Sequence, residues 1–190
     1  MVSSGGKRRV DERFEIAAFD LDGTLLDSDQ ALIEPFVFLG VPRDEISFGH
    51  PIEVECARLG LDVADYAAAY DENAAKPFAG VEKLIDGLES WGVCSNKTRS
   101  SATAELSRLG WRPTVALFAD DFGGAPKELG PVIDRLGVAP ERVLFVGDTA
   151  HDLRCADDVG AGFRWAGWNP RVVADDRVLD QPADVLELLG

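Results

Sequence analysis

Short apolar runs alternate with helical apolar spacing along most of the chain. The segments "FEIAAF" (14–19), "WGVCS" (91–95), "TVALFA" (114–119), "RVLFVG" (142–147) and "GFRWAG" (162–167) are brief and rich in β-branched and aromatic residues, which predicts five buried strands. Between them, "GVEKLIDGLES", "SATAELSRLG" and "ELGPVIDRLG" place apolar residues at three-to-four spacing. The last two stop at Gly110 and Gly137, as a left-handed helix cap favours. This rhythm predicts an α/β fold, a parallel sheet with helices on both faces. One stretch departs from it: "SDQALIEPFVFLG", "PIEVECARLG" and "VADYAAAYDENAA" read as helices without a strand, closed by Pro77. The expected organisation is therefore a core formed by residues 1–28 and 77–190, with a small α-helical insertion at 29–76.

At 190 residues, 46% hydrophobic and 28% charged, the chain is of ordinary globular composition and fits one such domain. Asp and Glu number 34 against 19 Lys and Arg, a formal charge of −15. That balance argues against a non-specific grip on nucleic-acid phosphates or an anionic membrane surface, and points to small-molecule partners. The polar opening "MVSSGGKRRVDER" is not followed by an apolar segment long enough for a signal or a membrane span, so the expected location is the cytoplasm. Cys56, Cys94 and Cys155 are widely spaced and outside any CxxC pattern, which favours buried free thiols over a zinc site or disulfides.

Candidate chemistry gathers at strand ends. Asp20 and Asp22 follow the first apolar run two positions apart, so an extended backbone would turn both carboxylates the same way. Ser95 and Asn96 end the second strand, Lys127 lies in the loop after the third, and Asp148 ends the fourth with Asp152 four residues on. Taken singly, each has an ordinary reading: Asp148 and Asp152 as a turn residue and an early-helix acid, Ser95 and Asn96 as strand-end polar residues, Lys127 as a surface lysine. A calcium loop counted from Asp20 fails, because Leu25 stands where glycine is needed and Ala31 where glutamate is. Jointly the residues are informative, since open α/β sheets bind ligands beyond the carboxyl ends of their strands. Clustered carboxylates suit a hard cation such as Mg2+; a hydroxyl, an amide and an ammonium suit a phosphoryl group.

In that order, "FDLDGTLLDS", "CSNK", Lys127 and "GDTAHD" resemble the four motifs of the haloacid dehalogenase superfamily. Within it, "FGHP" and "PFAGVEKLIDGL" resemble the phosphoglycolate phosphatase group. One departure is Lys127-Glu128, where relatives usually carry Lys-Pro. The resemblance implies a Rossmann-like core with a helical cap and a Mg2+-dependent hydrolase of small phosphorylated metabolites, phosphoglycolate being the leading candidate. It implies Asp20 as nucleophile and Asp22 as the acid and base for the leaving oxygen and attacking water. It also implies Asp20, Asp148, Asp152 and the Asp22 carbonyl around the metal. Ser95, Lys127, Asn96 and main-chain amides near Leu21 would hold the phosphoryl group, and His50 in the insertion would face the substrate. Retention of an acid at Asp22 favours phosphoryl transfer over other chemistries of the superfamily. No histidine lies between Asp20 and His50, which ranks hydrolysis above a phosphomutase or phosphotransferase reaction. A non-catalytic phosphate-binding protein of the same fold is the other alternative. His151, between motif acids, is expected to be exposed or to stand behind the site, and Trp165 and Trp168 to pack in the core or at its rim.

Overall fold

A computed structural model describes residues 13–47, 51–173 and 177–190. The "IAAF" run forms β1 (Ile16–Phe19), all four residues buried. Four of the remaining main-sheet strands answer to the other apolar runs: β4 (Trp91–Cys94), β5 (Val115–Leu117), β6 (Val143–Gly147) and β7 (Gly162–Ala166). A sixth, β8 (Val178–Leu179), adds to the edge by parallel pairing of Trp165 with Val178 and Ala166 with Leu179. The order is β5-β4-β1-β6-β7-β8 and every pairing is parallel.

Both faces of the sheet are covered, which accounts for strands without polar alternation. Ala17 and Phe19 of β1 pack with Leu144 and Val146 of β6 under α4 (Val81–Asp86), α5 (Arg99–Leu109) and α8 (Asp184–Glu187). Ile16, Ala18, Val143 and Phe145 take the other face, under α6 (Gly130–Leu136) and α7 (Ala150–Val159). Helices α5 and α6 end at Gly110 (φ 71°) and Gly137 (φ 70°), the left-handed caps expected from the sequence. All three cysteines are free and buried.

Chain order runs outward from β1 in both directions, to β4 and β5 on one side and to β6, β7 and β8 on the other. The carboxyl end of β1 is therefore the topological switch point, where neighbouring connections part and leave a crevice.

Among the described residues, the main sheet takes no strand from the segment between β2 (Leu26–Asp27) and β3 (Lys76–Pro77), a two-stranded antiparallel pair. This segment carries α1 (Asp29–Phe38), α2 (Ile52–Leu59) and α3 (Val63–Ala69). It has its own apolar cluster of Phe36, Cys56 and Tyr66, with Phe36 and Tyr66 ring centroids 4.6 Å apart. The wholly buried Glu55 carboxylate accepts hydrogen bonds from Ser47 N (2.7 Å) and Arg58 Nε (2.8 Å). Helix α3 is shorter than its pattern suggests: Tyr70 turns to extended backbone.

Candidate active site

Asp20 immediately follows β1, its N–H donating to Val146 O of β6 at 3.0 Å. Asp148 immediately follows β6, and the loop before α6 brings Lys127 beneath both. Lys127 Nζ lies 2.7 Å from Asp20 Oδ1 and 2.6 Å from Asp152 Oδ1. Its backbone is fixed as tightly as its ammonium. Lys127 N–H donates to Asn96 Oδ1 (2.7 Å), Cys155 Sγ donates to Lys127 O (3.3 Å), and Cys94 Sγ donates to Glu128 O (3.4 Å). The loop that carries Lys127 and Glu128 is thus held by side chains from β4, the turn that follows it and α7.

Asp152 serves two structures at once. As the third residue of α7 it accepts from Thr149 N (2.9 Å) and Thr149 Oγ1 (2.6 Å), closing a capping box, while its other oxygen faces Lys127. The helix-start reading therefore holds, and the same side chain also reaches Lys127. Burial alone would raise Asp152, but Lys127 and the Thr149 bonds outweigh it and hold the carboxyl below its usual value. Asp20 and Asp148 go the other way. Burial, opposed in part by Lys127, pushes Asp20 up to about 7; burial with the fields of Asp20 and Asp152 pushes Asp148 up to about 8. Burial works against the Lys127 ammonium, yet Asp152 and Asp20 leave it well above the ordinary lysine range.

Asp20, Asp148 and Asp152 each offer one carboxylate oxygen within 4.8 Å of the others. Asp22 does not join them through its side chain. Its Oδ1 accepts from Lys97 Nζ at 2.8 Å, on the side of the crevice facing the insertion. Ser95 and Asn96 lie at the end of β4 as expected, Ser95 Oγ accepting from Lys97 N–H at 3.3 Å. Leu21 is wholly buried. His50 lies outside the described residues. His151 is half-buried, its Nε2 3.7 Å from Cys155 Sγ, and burial lowers its pKa. Trp168 donates from Nε1 to Thr24 O at 2.8 Å, a rim contact.

Sequence reasoning missed a fifth strand end. Beyond β7, Asn169 Nδ2 donates to Asp148 Oδ2 (3.2 Å) and Gly23 O (2.7 Å). Arg171 bridges Asp148 Oδ2 (2.9 Å) and Asp29 Oδ2 (2.7 Å), the first residue of α1. Thr24 Oγ1 donates to Asp148 Oδ1 at 3.3 Å. The strand-end logic that found Asp148 would have reached "WNPR" had it been carried one strand further. Gly23 (φ 77°) is required here, since a Cβ on it would lie 2.4 Å from Asp148 Oδ2.

The cavity above these groups runs into the insertion. Leu32, Phe36, Ile52, Val63 and Tyr66 form its far wall, and Asp20, Asp22, Ser95, Lys127 and Asp148 its floor. Among the described residues no helix is long and apolar enough to cross a membrane.

A family model described as haloacid dehalogenase-like hydrolase matches residues 17–166, which contain every site residue named above except Asn169, Trp168 and Arg171. The chain is 31% identical to a phosphoglycolate phosphatase of Xanthomonas campestris pv. campestris, over 88% of this chain and 89% of that protein. It is 28% identical to an N-acetylmuramic acid 6-phosphate phosphatase of Pseudomonas aeruginosa, over 93% and 95%. Among solved structures, CbbY from Rhodobacter sphaeroides, determined in complex with phosphate, superposes with a TM-score of 0.68 at 22% identity, covering 90% of this chain and 96% of that one. A hydrolase from Pseudomonas syringae does so at 0.70 and 20%, covering 92% and 96%. With its motifs at the ends of four successive strands of one parallel sheet, the chain belongs to the haloacid dehalogenase-like hydrolases, in the group similar to phosphoglycolate phosphatases.

Proposed function

We propose that this hydrolase cleaves small phosphomonoester metabolites in the cytoplasm by phosphoryl transfer to Asp20. The observation that carries this reading is the juxtaposition of Asp20, Asp148 and Asp152 around Lys127 at the switch point. Asp20 attacks phosphorus in line and takes the phosphoryl group as an aspartyl phosphate. Lys127 and Ser95, with main-chain amides near Leu21, Asp22 and Asn96, hold the phosphoryl oxygens as charge builds on them. Asp22 gives a proton to the departing alkoxide and then takes one from the water that hydrolyses the intermediate.

The donor set is all hard oxygen, and Asp20 and Asp148 carry pKa values raised by burial first and by neighbouring acids second, both of which a cation would offset, so the residues fit Mg2+. Asp20, Asp148, Asp152 and the Asp22 carbonyl would hold it. When bound, it supplies positive charge that neutralises the phosphoryl oxygens and the nucleophile. The segment 29–76 acts as a cap that excludes water and bears on substrate choice.

Phosphoglycolate is the leading substrate from the kinship. A second reading is favoured by the cavity: its far wall is mainly apolar, with Ser47 and Glu55 its polar members, and Lys97, Lys127 and Arg171 at its floor each already hold two carboxylates. That arrangement suits an ester whose alcohol is uncharged and partly apolar. Phosphate release from 4-nitrophenyl phosphate with Mg2+, and its loss in EDTA, tests the chemistry; no Mg2+-dependent release would overturn it. A panel of phosphorylated metabolites at equal concentration, with phosphoglycolate beside neutral sugar and alkyl phosphates, decides between the substrates.

A further inference from the structure

Lys97 ends the "CSNK" motif, and the chemistry above gives it no task. It is nevertheless buried, and its ammonium faces three oxygens. Nζ lies 2.8 Å from Asp22 Oδ1, 2.8 Å from Tyr70 Oη, and 2.9 Å from Glu105 Oε2, the last an ion-pair contact off the hydrogen-bond axis. Tyr70 Oη in turn donates to Glu105 Oε1 at 2.6 Å. Glu105 is wholly buried on α5, and three elements thus meet at one cation: the turn after β1, α5 of the core, and the residue that ends α3 of the insertion. Burying the Glu105 carboxylate with the Lys97 ammonium is costly unless the arrangement is fully satisfied, so their presence asks for a purpose other than stability.

We propose that Lys97 is a positioning residue: seated on Glu105, it anchors one oxygen of Asp22 so that the other addresses the leaving group, and through Tyr70 it ties that orientation to docking of the cap. Three features support this. Asp22 Oδ1 is anchored, while Oδ2 has no protein partner among the described residues and Asp22 lines the cavity. Glu105 supplies a counter-charge from the rigid middle of α5, so the ammonium cannot follow Asp22 freely. The Asp22 turn is also continuous with the stem of the insertion: Gly23 N–H donates to Leu26 O at 2.8 Å, and β2 pairs with β3 at the base of the segment that carries Tyr70. Cap movement that withdraws the Tyr70 hydroxyl would free one ammonium hydrogen and loosen Asp22 at once.

The proposal rests on the reading of Asp22 as proton donor, and one experiment separates the two. Phenyl phosphate and 4-nitrophenyl phosphate are nearly isosteric but differ in how much their leaving groups need a proton. Their kcat/KM values, which report the steps through departure of the phenol, are compared in wild type, Asp22→Asn, Lys97→Met, Tyr70→Phe and the charge-balanced Lys97→Met/Glu105→Gln. Asp22→Asn lowers the phenyl-to-nitrophenyl ratio at least about tenfold. Lys97→Met and the double variant lower it in the same sense by roughly tenfold, and Tyr70→Phe by less. Lys97→Met adds nothing to the ratio in an Asp22→Asn background, and its effect is not additive with that of Tyr70→Phe. The double variant guards against a folding failure of Lys97→Met, because it leaves no unpaired buried glutamate. A ratio unchanged in Asp22→Asn overturns the proton-donor reading and the proposal with it. A ratio lowered in Asp22→Asn but kept at the wild-type value in both Lys97 variants, with both esters slowed equally, overturns the positioning role alone and leaves a structural ion pair.

Discussion

Asp20, a single residue, carries the sharpest test of the chemistry. Asp20→Asn keeps size and hydrogen bonding but removes the attacking oxygen, so turnover of even an activated aryl phosphate should fall to background. Because Asp20 is one of three crowded acids, the metal-free variant should melt no lower than wild type at pH 8. Retained hydrolysis would dismiss the covalent route. Gly23→Ala probes the same cluster from below. At φ 77° an added Cβ meets Asp148 Oδ2 at 2.4 Å and Arg171 Nη2 at 2.6 Å, so kcat/KM should drop by roughly tenfold to a hundredfold. The backbone strain should cost about 1–2 kcal/mol in denaturant melts. Residues of this kind were legible where polar groups interrupt strand ends. Glu105 was less so, although the signal exists: it lies between Ala102 and Leu106 on the buried stripe of α5, where a carboxylate is out of place. Its partners Lys97 and Tyr70 come from distant segments, and no local pattern announces such a meeting.

Elements were readable in proportion to their length. The five expected strands and the insertion helices carry enough apolar residues for their spacing to speak. By contrast β2, β3 and β8 are two residues long and exist through pairing alone, as in Leu26 with Pro77 and Trp165 with Val178. β5 is shorter than its apolar run because Phe118 N–H leaves the sheet for Asp121 Oδ2 at 2.9 Å and opens a 3-10 turn. The insertion is the element with the most to lose from one change. Among the described residues its cluster has three buried members, so Phe36→Ala, worth about 3–5 kcal/mol in a well-packed site, should open it without unfolding the sheet. Limited proteolysis read by mass spectrometry should show cleavage confined to residues 29–76. Cleavage spread over the core as well would mean that the two clusters melt as one.

Over the whole molecule, crowded acids make stability depend on pH in an unusual direction. Asp20 near 7 and Asp148 near 8 both stand above the ordinary aspartate value of 3.8, so between about pH 4 and 8 these two residues bind more protons in the folded chain than in the unfolded one. That contribution is present at low pH and is lost as pH rises through 7 to 8. In EDTA, calorimetry should therefore give a lower melting temperature at pH 8.5 than at pH 6. Magnesium should raise it more at pH 8.5, where it no longer competes with protons for the same oxygens. A metal-free melting temperature that climbs over this interval would show these carboxylates to be ionised throughout.

The three buried thiols lend themselves to use as clocks. Burial raises all of them, Cys56 and Cys155 to about 11, so an alkylating reagent at neutral pH finds almost no thiolate and no access until the surrounding structure opens. Cys56 sits in the cluster of the insertion, whereas Cys94 and Cys155 sit in the core and brace the loop of Lys127. Labelling followed by peptide mapping would thus time two openings in one sample. Modification of Cys56 ahead of the other two would give the rate at which the insertion comes apart by itself, and simultaneous modification would give the lifetime of the folded chain.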